Sequence, residues 1–295
     1  MDLDGDGNID ILSGSYSRMD GAMAGLFQVL RGNEDGTFRK AEAVRGTDGE
    51  PLIVPHDPET ALLDAICTRP TAADLDGDGH LDLVVGNFAG TFCWFRGGGS
   101  GKFAPMPEWL LAPDGERVHV EHHSDPFVVD WDADGDLDIV SGSSAGSVSL
   151  ITNVGTAKSP KFAKPVTLVK IETPPFDQIV FGEEHVKAPN MATRVAVADV
   201  NGDGKLDLLV GDSVRLKYPA EGLTEEEARG QMELWQKDFA ELQGAAPEIA
   251  DFENMTDEEE AAWEAHSERQ SELWTLRAEI VREVSTGYVW LYERK

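Results

Sequence analysis

Four short stretches of the chain carry acidic side chains at a fixed spacing. We name them by their limits and sequences: loop 1 (Asp2–Asp10, DLDGDGNID), loop 2 (Asp74–Asp82, DLDGDGHLD), loop 3 (Asp130–Asp138, DWDADGDLD) and loop 4 (Asp199–Asp207, DVNGDGKLD). Positions 1, 3 and 5 of every loop carry a side-chain oxygen, and position 9 is always aspartate. In a tight loop this spacing turns the oxygens toward one point, which suits a hard cation with ~6–8 oxygen ligands. The pattern predicts four calcium sites.

Glycine occupies position 6 of each loop, at Gly7, Gly79, Gly135 and Gly204. It adopts a turn with φ > 0 without steric cost, and that turn lets the backbone carbonyl of position 7 face the metal. An EF-hand would need a glutamate at position 12 and a helix on each side, whereas a strand-like apolar run follows each loop here. The predicted ligands are the side chains of Asp2, Asp4, Asp6, Asp10, Asp74, Asp76, Asp78, Asp82, Asp130, Asp132, Asp134, Asp138, Asp199, Asn201, Asp203 and Asp207, and the backbone carbonyls of Asn8, His80, Asp136 and Lys205.

The loops also mark a longer repeat that starts at residues 2, 74, 130 and 199. After each loop an apolar strand ends in glycine, a second glycine opens another strand, and in three repeats a phenylalanine opens a further one at Phe38, Phe103 or Phe162. A strand also precedes three of the loops, at Pro70–Ala73, Pro126–Val129 and Val195–Ala198. We call the strand before a loop strand A, the strand after it strand B, and the next two strands C and D. Each repeat is predicted to be a four-stranded antiparallel meander with calcium in the A–B hairpin. Such sheets, packed face to face, form the blades of a β-propeller.

The D-x-D-x-D-G-x-x-D loop, followed by LLVG at residues 208–211 and G-x-V-x-L-Y at residues 287–292, resembles the FG-GAP/VCBS repeat family. The resemblance covers all four repeats and is most specific in the loops. It implies calcium-bearing blades like those of integrin α-subunit heads and of many bacterial secreted or surface proteins, with the loop ligands at the positions given above. Asn201 in place of Asp and Ala133 in place of Gly depart from the family pattern, and neither removes an oxygen ligand.

The fourth repeat contains an insertion between its second and third strands. Three residues separate the corresponding glycines in repeats two and three, but 75 separate Gly211 from Gly287. Thr224 and Thr256 each begin a capping-box sequence, which predicts two helix starts. Apolar stripes follow at helical spacing, and they predict a helical hairpin over residues 222–285 whose two helices cover each other. The stripe residues are Ala228, Met232, Trp235, Phe239 and Leu242 in the first helix and Leu273, Leu276, Ile280 and Val284 in the second.

Composition excludes several classes of protein. The chain has 295 residues with 55 acidic against 25 basic side chains, and four calcium ions would change its formal charge only from −30 to −22. Such a surface should repel nucleic acid and anionic membranes. Two cysteines, Cys67 and Cys93, are too few for a disulfide framework and are predicted to be buried thiols. No apolar run is long enough to span a membrane.

Three other motifs are weaker. The G-x-S-x-G sequence at residues 142–146 precedes a strand where a nucleophile elbow requires a helix, and residues 97–102 lack the first glycine of a phosphate loop. Both are predicted to be turns. The polar connection before loop 3 carries residues that suit a transition metal, and similar groups occur at His56-Asp57 and Glu183-Glu184-His185. The residues before loop 3 are His119, Glu121, His122, His123 and Asp125. We interpret all of these groups as chance occurrences in long polar connections. If the chain has a carbohydrate or small-molecule site, these connections are the first place to look for it.

The sequence therefore predicts an all-β, β-propeller-type single domain over residues 1–295, with repeats over about 1–60, 61–115, 116–175 and 176–295. Strand A of the first repeat and strand D of the fourth are absent, so we expect an open arc of blades from a longer exported protein. The predicted function is a calcium-binding scaffold for extracellular or cell-surface adhesion, with a protein or carbohydrate ligand. The alternatives are a polysaccharide lyase-like enzyme or a lectin-like module on the same blades.

Overall fold

The structure is a computed structural model that describes residues 1–16, 24–55, 62–171, 179–249, 251–252 and 254–295. The chain divides into two compact units. The first comprises Met1–Glu172, Ala188–Ser213 and Gly287–Lys295, and the second comprises Thr173–Lys187 and Val214–Thr286. The residues His56 and Asp57, which the sequence singled out, lie outside the described residues.

Four antiparallel sheets account for the strands. Sheet I consists of β1 (Ile11–Ser13), β2 (Gln28–Leu30) and β3 (Glu42–Ala43); sheet II of β4 (Arg69–Ala73), β5 (Asp82–Gly86), β6 (Phe92–Phe95) and β7 (Glu108–Trp109); sheet III of β8 (Asp125–Val129), β9 (Asp138–Gly142), β10 (Val148–Ile151) and β11 (Val166–Val169); sheet IV of β12 (Met191–Ala198), β13 (Asp207–Pro219), β14 (Val281–Thr286) and β15 (Val289–Tyr292). In sheets I to III each strand pairs with the next one along the chain. The predicted blade-like meanders are confirmed.

Three apolar clusters in the first unit each join two consecutive sheets. Successive residues of a strand face opposite sides of its sheet, and β5 illustrates this. Leu83 and Val85 belong to the cluster with sheet I, whereas Val84 belongs to the cluster with sheet III. A third cluster joins sheet III to sheet IV. Among the described residues no cluster joins sheet IV back to sheet I, and in β15 Val289 and Leu291 are 74% and 46% exposed. The predicted open arrangement of blades is confirmed.

The glycine that ends strand β5 or β9 lies against the backbone of the following sheet. A β-carbon on Gly86 would lie 2.3 Å from the Ser124 carbonyl oxygen, and one on Gly142 would lie 2.3 Å from that of Thr193. Any side chain would force the two sheets apart. The repeated glycine therefore serves the packing between blades.

The fourth strand of each blade begins later than predicted. Phe38, Phe103 and Phe162 form only isolated bridges, to Gly32, Gly97 and Asn153. The continuous ladders of β3, β7 and β11 start four or five residues further along. Phe103 and Phe162 are buried in the clusters between sheets, and Pro105 and Pro165 follow them. Because proline cannot donate to a ladder, pairing resumes only beyond it.

The second unit contains two helices, α1 (Glu225–Gly244) and α2 (Asp257–Ile280). Thr224 and Thr256 form the predicted capping boxes with Glu227 and Glu259. The first apolar stripe is confirmed, since Ala228, Met232 and Trp235 are buried with Phe239 and Leu242 packed against them; the second is confirmed only at Leu273 and Ile280. Within the described residues no helix is both long and apolar enough to cross a membrane.

The end of the predicted hairpin was wrong. Strand β13 continues to Pro219, and its second half pairs with β14 over Val214 to Pro219. The helices are thus carried on a two-stranded ribbon, and Val284 belongs to β14 while Leu276 is 46% exposed. The alternating sequence Val-Arg-Leu-Lys-Tyr at 214–218 is a period-of-two signal that the helical interpretation overlooked.

Candidate metal centres

The first aspartate of each loop holds the loop closed. In loop 1 Asp2 Oδ2 accepts a hydrogen bond from Gly7 N at 2.9 Å, and its Oδ1 accepts from Gly5 N at 2.8 Å. The corresponding bonds from the position 6 glycine are 3.0 Å at Asp74, 3.1 Å at Asp130 and 3.0 Å at Asp199. The same backbone path therefore recurs in all four loops.

The position 6 glycines all have positive φ, between 86° and 94°. Position 4 is also left-handed in every loop, which the sequence analysis did not foresee. Gly5, Gly77 and Gly202 adopt it easily, but Ala133 of loop 3 has φ 63° and carries a β-carbon there. A non-glycine residue in that region is uncommon and costs backbone energy. The side chains at positions 3 and 5 flank this turn, and in loops 1 and 2 they approach each other closely.

Three loops gather carboxylates tightly enough for one cation. One oxygen from each of Asp2, Asp4 and Asp6 lies within 4.8 Å of the other two, and the same holds for Asp74, Asp76 and Asp78. In loop 3 the group is Asp130, Asp132 and Asp138. In loop 4 the equivalent position 3 residue is Asn201, whose Oδ1 accepts from Asp203 N at 2.9 Å. All of these donors are hard oxygens, which suit calcium.

The position 9 aspartates have a structural role in addition to the predicted binding of the metal. Asp82 accepts from Leu75 N at 2.9 Å and from Gly97 N at 2.6 Å, so it ties the start of loop 2 to the end of β6. The same pair of bonds occurs at Asp10, Asp138 and Asp207. Each of these carboxylates is buried. They anchor the loop to strand C with or without a metal.

Burial and mutual repulsion raise the pKa of the position 9 carboxylates of loops 2 and 3, whereas that of loop 1 is lowered. Burial raises the pKa of Asp82 to about 6, and the neighbouring carboxylates of Asp76 and Asp78 add to the increase. Burial likewise raises the pKa of Asp138, with Asp132 and Asp134 contributing. At Asp10 burial also tends to raise the pKa, but hydrogen bonds from Gly32, Leu3 and Arg31 hold that pKa below its ordinary value.

Among the described residues, two buried carboxylate oxygens, one in loop 2 and one in loop 3, lack a hydrogen-bond partner. They are Asp76 Oδ1 and Asp136 Oδ1. A buried polar group without a partner costs roughly 1–3 kcal/mol, and a charged group such as a carboxylate costs more. A cation or a hydrogen-bond donor compensates this cost. Asp76 is a predicted ligand, whereas Asp136 was assigned only through its carbonyl. The loops therefore fit calcium by chemistry and by their unsatisfied atoms.

Two arginines that the sequence analysis missed reach into loops 1 and 2. Arg31 Nη1 lies 2.9 Å from Asp10 Oδ2 and 3.3 Å from Asp4 Oδ2. Arg96 Nη1 pairs with Asp76 Oδ2. Each arginine immediately precedes the glycine that donates to the position 9 aspartate, Gly32 or Gly97. The sequence signal was this shared place at the end of strand C.

The histidine-rich connection before loop 3 does not converge. Glu121 accepts from Ser147 Oγ at 2.7 Å, His123 packs edge-on against Phe88 at 4.3 Å, and Asp125 pairs with Arg194 at 3.2 Å. Within the described parts of the chain, groups of three close metal-binding side chains occur only in the loops. Glu183, Glu184 and His185 belong to the second unit.

A surface cleft of about 670 Å³ is lined by residues of this connection, within 112–121, and by residues in and around strands β10 and β11 of sheet III. Arg117, His119, Glu121, Lys164 and Lys170 are among its lining residues. Arg117 also stacks on the Trp109 ring at 3.8 Å and pairs with Asp64 at 2.8 Å. The lining thus carries three cationic side chains against two acidic ones, Glu116 and Glu121, in a chain of net charge −30, and Lys164 is itself paired with Asp114 at 2.5 Å.

The other motifs are turns, as predicted. Residues 142–146 connect β9 to β10, and Gly97 bridges Phe103 across a turn after β6. Both cysteines are buried and free.

The comparison with protein families agrees with the repeats. Residues 74–141 and 130–210 each match the FG-GAP-like repeat, so loops 2, 3 and 4 all lie within matched segments. The predicted resemblance is confirmed, and these repeats suggest a protein-binding role. No curated protein is similar enough to the chain to count as a relative.

Proposed function

Because residues 74–210 are FG-GAP-like repeats, we propose that the chain is a calcium-stabilised binding scaffold that acts at a cell surface or outside the cell. One observation carries the calcium part of this proposal. The same hydrogen-bonded loop recurs at the A–B hairpin of three sheets and directly before β1 of sheet I, and in loops 1, 2 and 3 it gathers three carboxylates within 4.8 Å of one another.

The residues assigned to the metal are those at positions 1, 3, 5 and 9, with the carbonyl of position 7 completing the set. Bound calcium supplies two positive charges that neutralise the clustered carboxylates. The chain itself holds each position 1 and position 9 side chain in place through backbone donors. Binding therefore needs little reorganisation of the loop, and calcium acts on stability rather than on chemistry.

The size of this effect matches a structural role. Extracellular-type calcium sites with Kd around 0.1 mM, in roughly 1 mM calcium, each contribute about 1.4 kcal/mol to folding stability. Four such sites give about 5–6 kcal/mol, which is comparable with a typical total of ~5–15 kcal/mol. The scaffold would then be well folded outside the cell, where calcium is abundant, and much less stable where calcium is scarce.

A second candidate function is binding of an acidic carbohydrate or another carboxylate ligand in the cleft between the connection before loop 3 and sheet III. Arg117 is held by Asp64 and Trp109, so its guanidinium is pre-positioned. Arginine recognises carboxylates through paired hydrogen bonds. A lyase-like reaction would also need a base aligned with a charge-neutralising group. His119, Glu116 and Glu121 are the bases among the lining residues, and we propose binding rather than catalysis at this cleft.

Calorimetric titration with calcium tests the main proposal. We expect about four bound ions per chain, and the variant Asp130→Ala should bind one fewer because loop 3 loses its closing carboxylate. The control variant Glu34→Ala removes an exposed acid outside the loops and should bind as many ions as the wild type. Absence of calcium binding in the wild type would refute the proposal.

A glycan array, probed with and without calcium, tests the second candidate. Binding of uronic-acid glycans that Arg117→Gln abolishes would support the cleft. Binding that survives this substitution would place the ligand elsewhere.

A further inference from the structure

The four loops differ in the residue that occupies one equivalent place at the end of strand C. The residue whose N–H donates to the position 9 aspartate gives a common reference point in every repeat: Gly32, Gly97, Asn153 and Arg294. The residue just before it is Arg31 in the first repeat and Arg96 in the second, but Thr152 in the third and Glu293 in the fourth. Only loops 1 and 2 have a guanidinium at this place.

Each arginine belongs to a network of ion pairs, Arg31 with Asp4, Asp10 and Glu42, and Arg96 with Asp76 and Glu108. Arg31 Nε lies 3.5 Å from Glu42 Oε1, and Arg96 Nε lies 2.6 Å from Glu108 Oε1, while Nη1 of each reaches the loop. Glu42 pairs with Val29, and Glu108 pairs with Trp94, in the ladder of strands C and D. Each glutamate thus lies opposite the residue two places before the arginine.

Sheet III lacks both partners. The residue that pairs with Leu150, two places before Thr152, is Val166, which is 62% exposed. Loop 3 also has the most carboxylates, five, including the buried Asp136. Among the described ion pairs none joins a cation to a carboxylate of loop 3 or loop 4. Arg294 approaches loop 3 but donates to the Trp131 carbonyl.

We propose that Arg31 and Arg96 are built-in counter-ions that lower the calcium affinity of loops 1 and 2 and leave loop 3 as the tightest site. The proposal rests on calcium binding to the loops, as proposed above. A guanidinium on an oxygen of the position 3 aspartate competes with calcium for that oxygen and repels the ion. Without calcium, the same guanidinium relieves the repulsion among the carboxylates. The arginines thus lower the calcium affinity of loops 1 and 2 and raise the folding stability of the chain in the absence of calcium.

Two opposite variants test this inference by calorimetric titration with calcium. In Arg31→Gln/Arg96→Gln the affinities of two sites should rise on the order of tenfold, because ligand charge sets the affinity of such loops. In Thr152→Arg/Val166→Glu, which installs the ion pair in sheet III, the tightest site should weaken on the order of tenfold. Loop 4 should not change in either variant.

Melting temperatures supply a readout that a purely structural arginine would not give. The glutamine variant should melt lower than the wild type in EDTA but not in excess calcium, and the sheet III variant should melt higher than the wild type in EDTA. Equal losses with and without calcium, or affinities unchanged within about twofold in both variants, would overturn the inference while leaving calcium binding intact. If the glutamine variant does not fold, the sheet III variant decides alone. No calcium binding by the wild type would overturn both proposals.

Discussion

The side-chain hydroxyl of Ser124 accepts a hydrogen bond from the backbone N–H of Asn87 at 2.8 Å. Ser124 N donates in turn to Asn87 O at 3.0 Å, so two buried bonds join the residue that follows β5 of sheet II to the residue that precedes β8 of sheet III. Thr68 with Ser15, and Thr193 with Ser143, repeat this joint at the other two boundaries. In each case the backbone carbonyl of the hydroxyl-bearing residue lies against a glycine at the end of a B strand or directly after it (Gly14, Gly86 or Gly142), so a small residue at this place sets the distance between blades.

Gly86→Ala should destabilise this joint strongly. Its β-carbon would lie 2.3 Å from the Ser124 carbonyl oxygen, and backbone cannot move away as a flexible side chain could. Overpacking of this kind costs typically ~1–3 kcal/mol or more. Gly211→Ala is a matched control, because the nearest atom to its β-carbon is 3.9 Å away. In urea unfolding followed by circular dichroism, Gly86→Ala should lose stability and Gly211→Ala should not; equal behaviour of the two would refute the joint.

The aspartates of a loop should divide into two classes. Asp82→Asn leaves one buried N–H, from Leu75 or Gly97, without its acceptor, and should cost about 1–3 kcal/mol even in EDTA. Asp78→Asn changes an exposed ligand and should affect stability only when calcium is present. Urea unfolding of both variants in EDTA and in calcium distinguishes the classes. If Asp82→Asn were harmless in EDTA, the anchoring role of position 9 would be wrong.

His123 should lower the folding stability as the pH drops below the ordinary pKa of histidine, whereas Asp82, whose pKa burial raises to about 6, acts in the opposite direction. Burial lowers the pKa of His123 in the folded state, and Arg69 and Arg194 add to the shift. Between its folded and unfolded pKa values the unfolded chain binds the proton and the folded chain does not, so protonation favours unfolding.

The variant His123→Asn keeps a residue that tolerates the local φ of 60° and should melt with a shallower pH dependence from about pH 7.5 to 5.5. The exposed His119→Asn is the control and should retain the wild-type slope. An unchanged slope for His123→Asn would rule out this contribution.

Local sequence determined much of this fold, and contacts between distant residues determined the rest. The loops and capping boxes are set by neighbours within a few residues, so their pattern was sufficient to predict them. The joint between Gly86 and Ser124 spans 38 positions, and Arg96 meets Asp76 across a hairpin, so neither follows from a local motif. After α2 the apolar spacing is compatible with both a helix and a strand, and pairing with β13 makes residues 281–286 a strand.

The melting temperature in excess EDTA compared with about 1 mM calcium is the most direct test of the central claim that the loops are structural calcium sites. A gain of about 5–6 kcal/mol predicts that calcium raises the midpoint by at least about 8 °C. Magnesium at the same concentration should raise it far less, because it requires a smaller octahedral site. A midpoint that calcium leaves unchanged, with the chain folded in EDTA, would contradict the account.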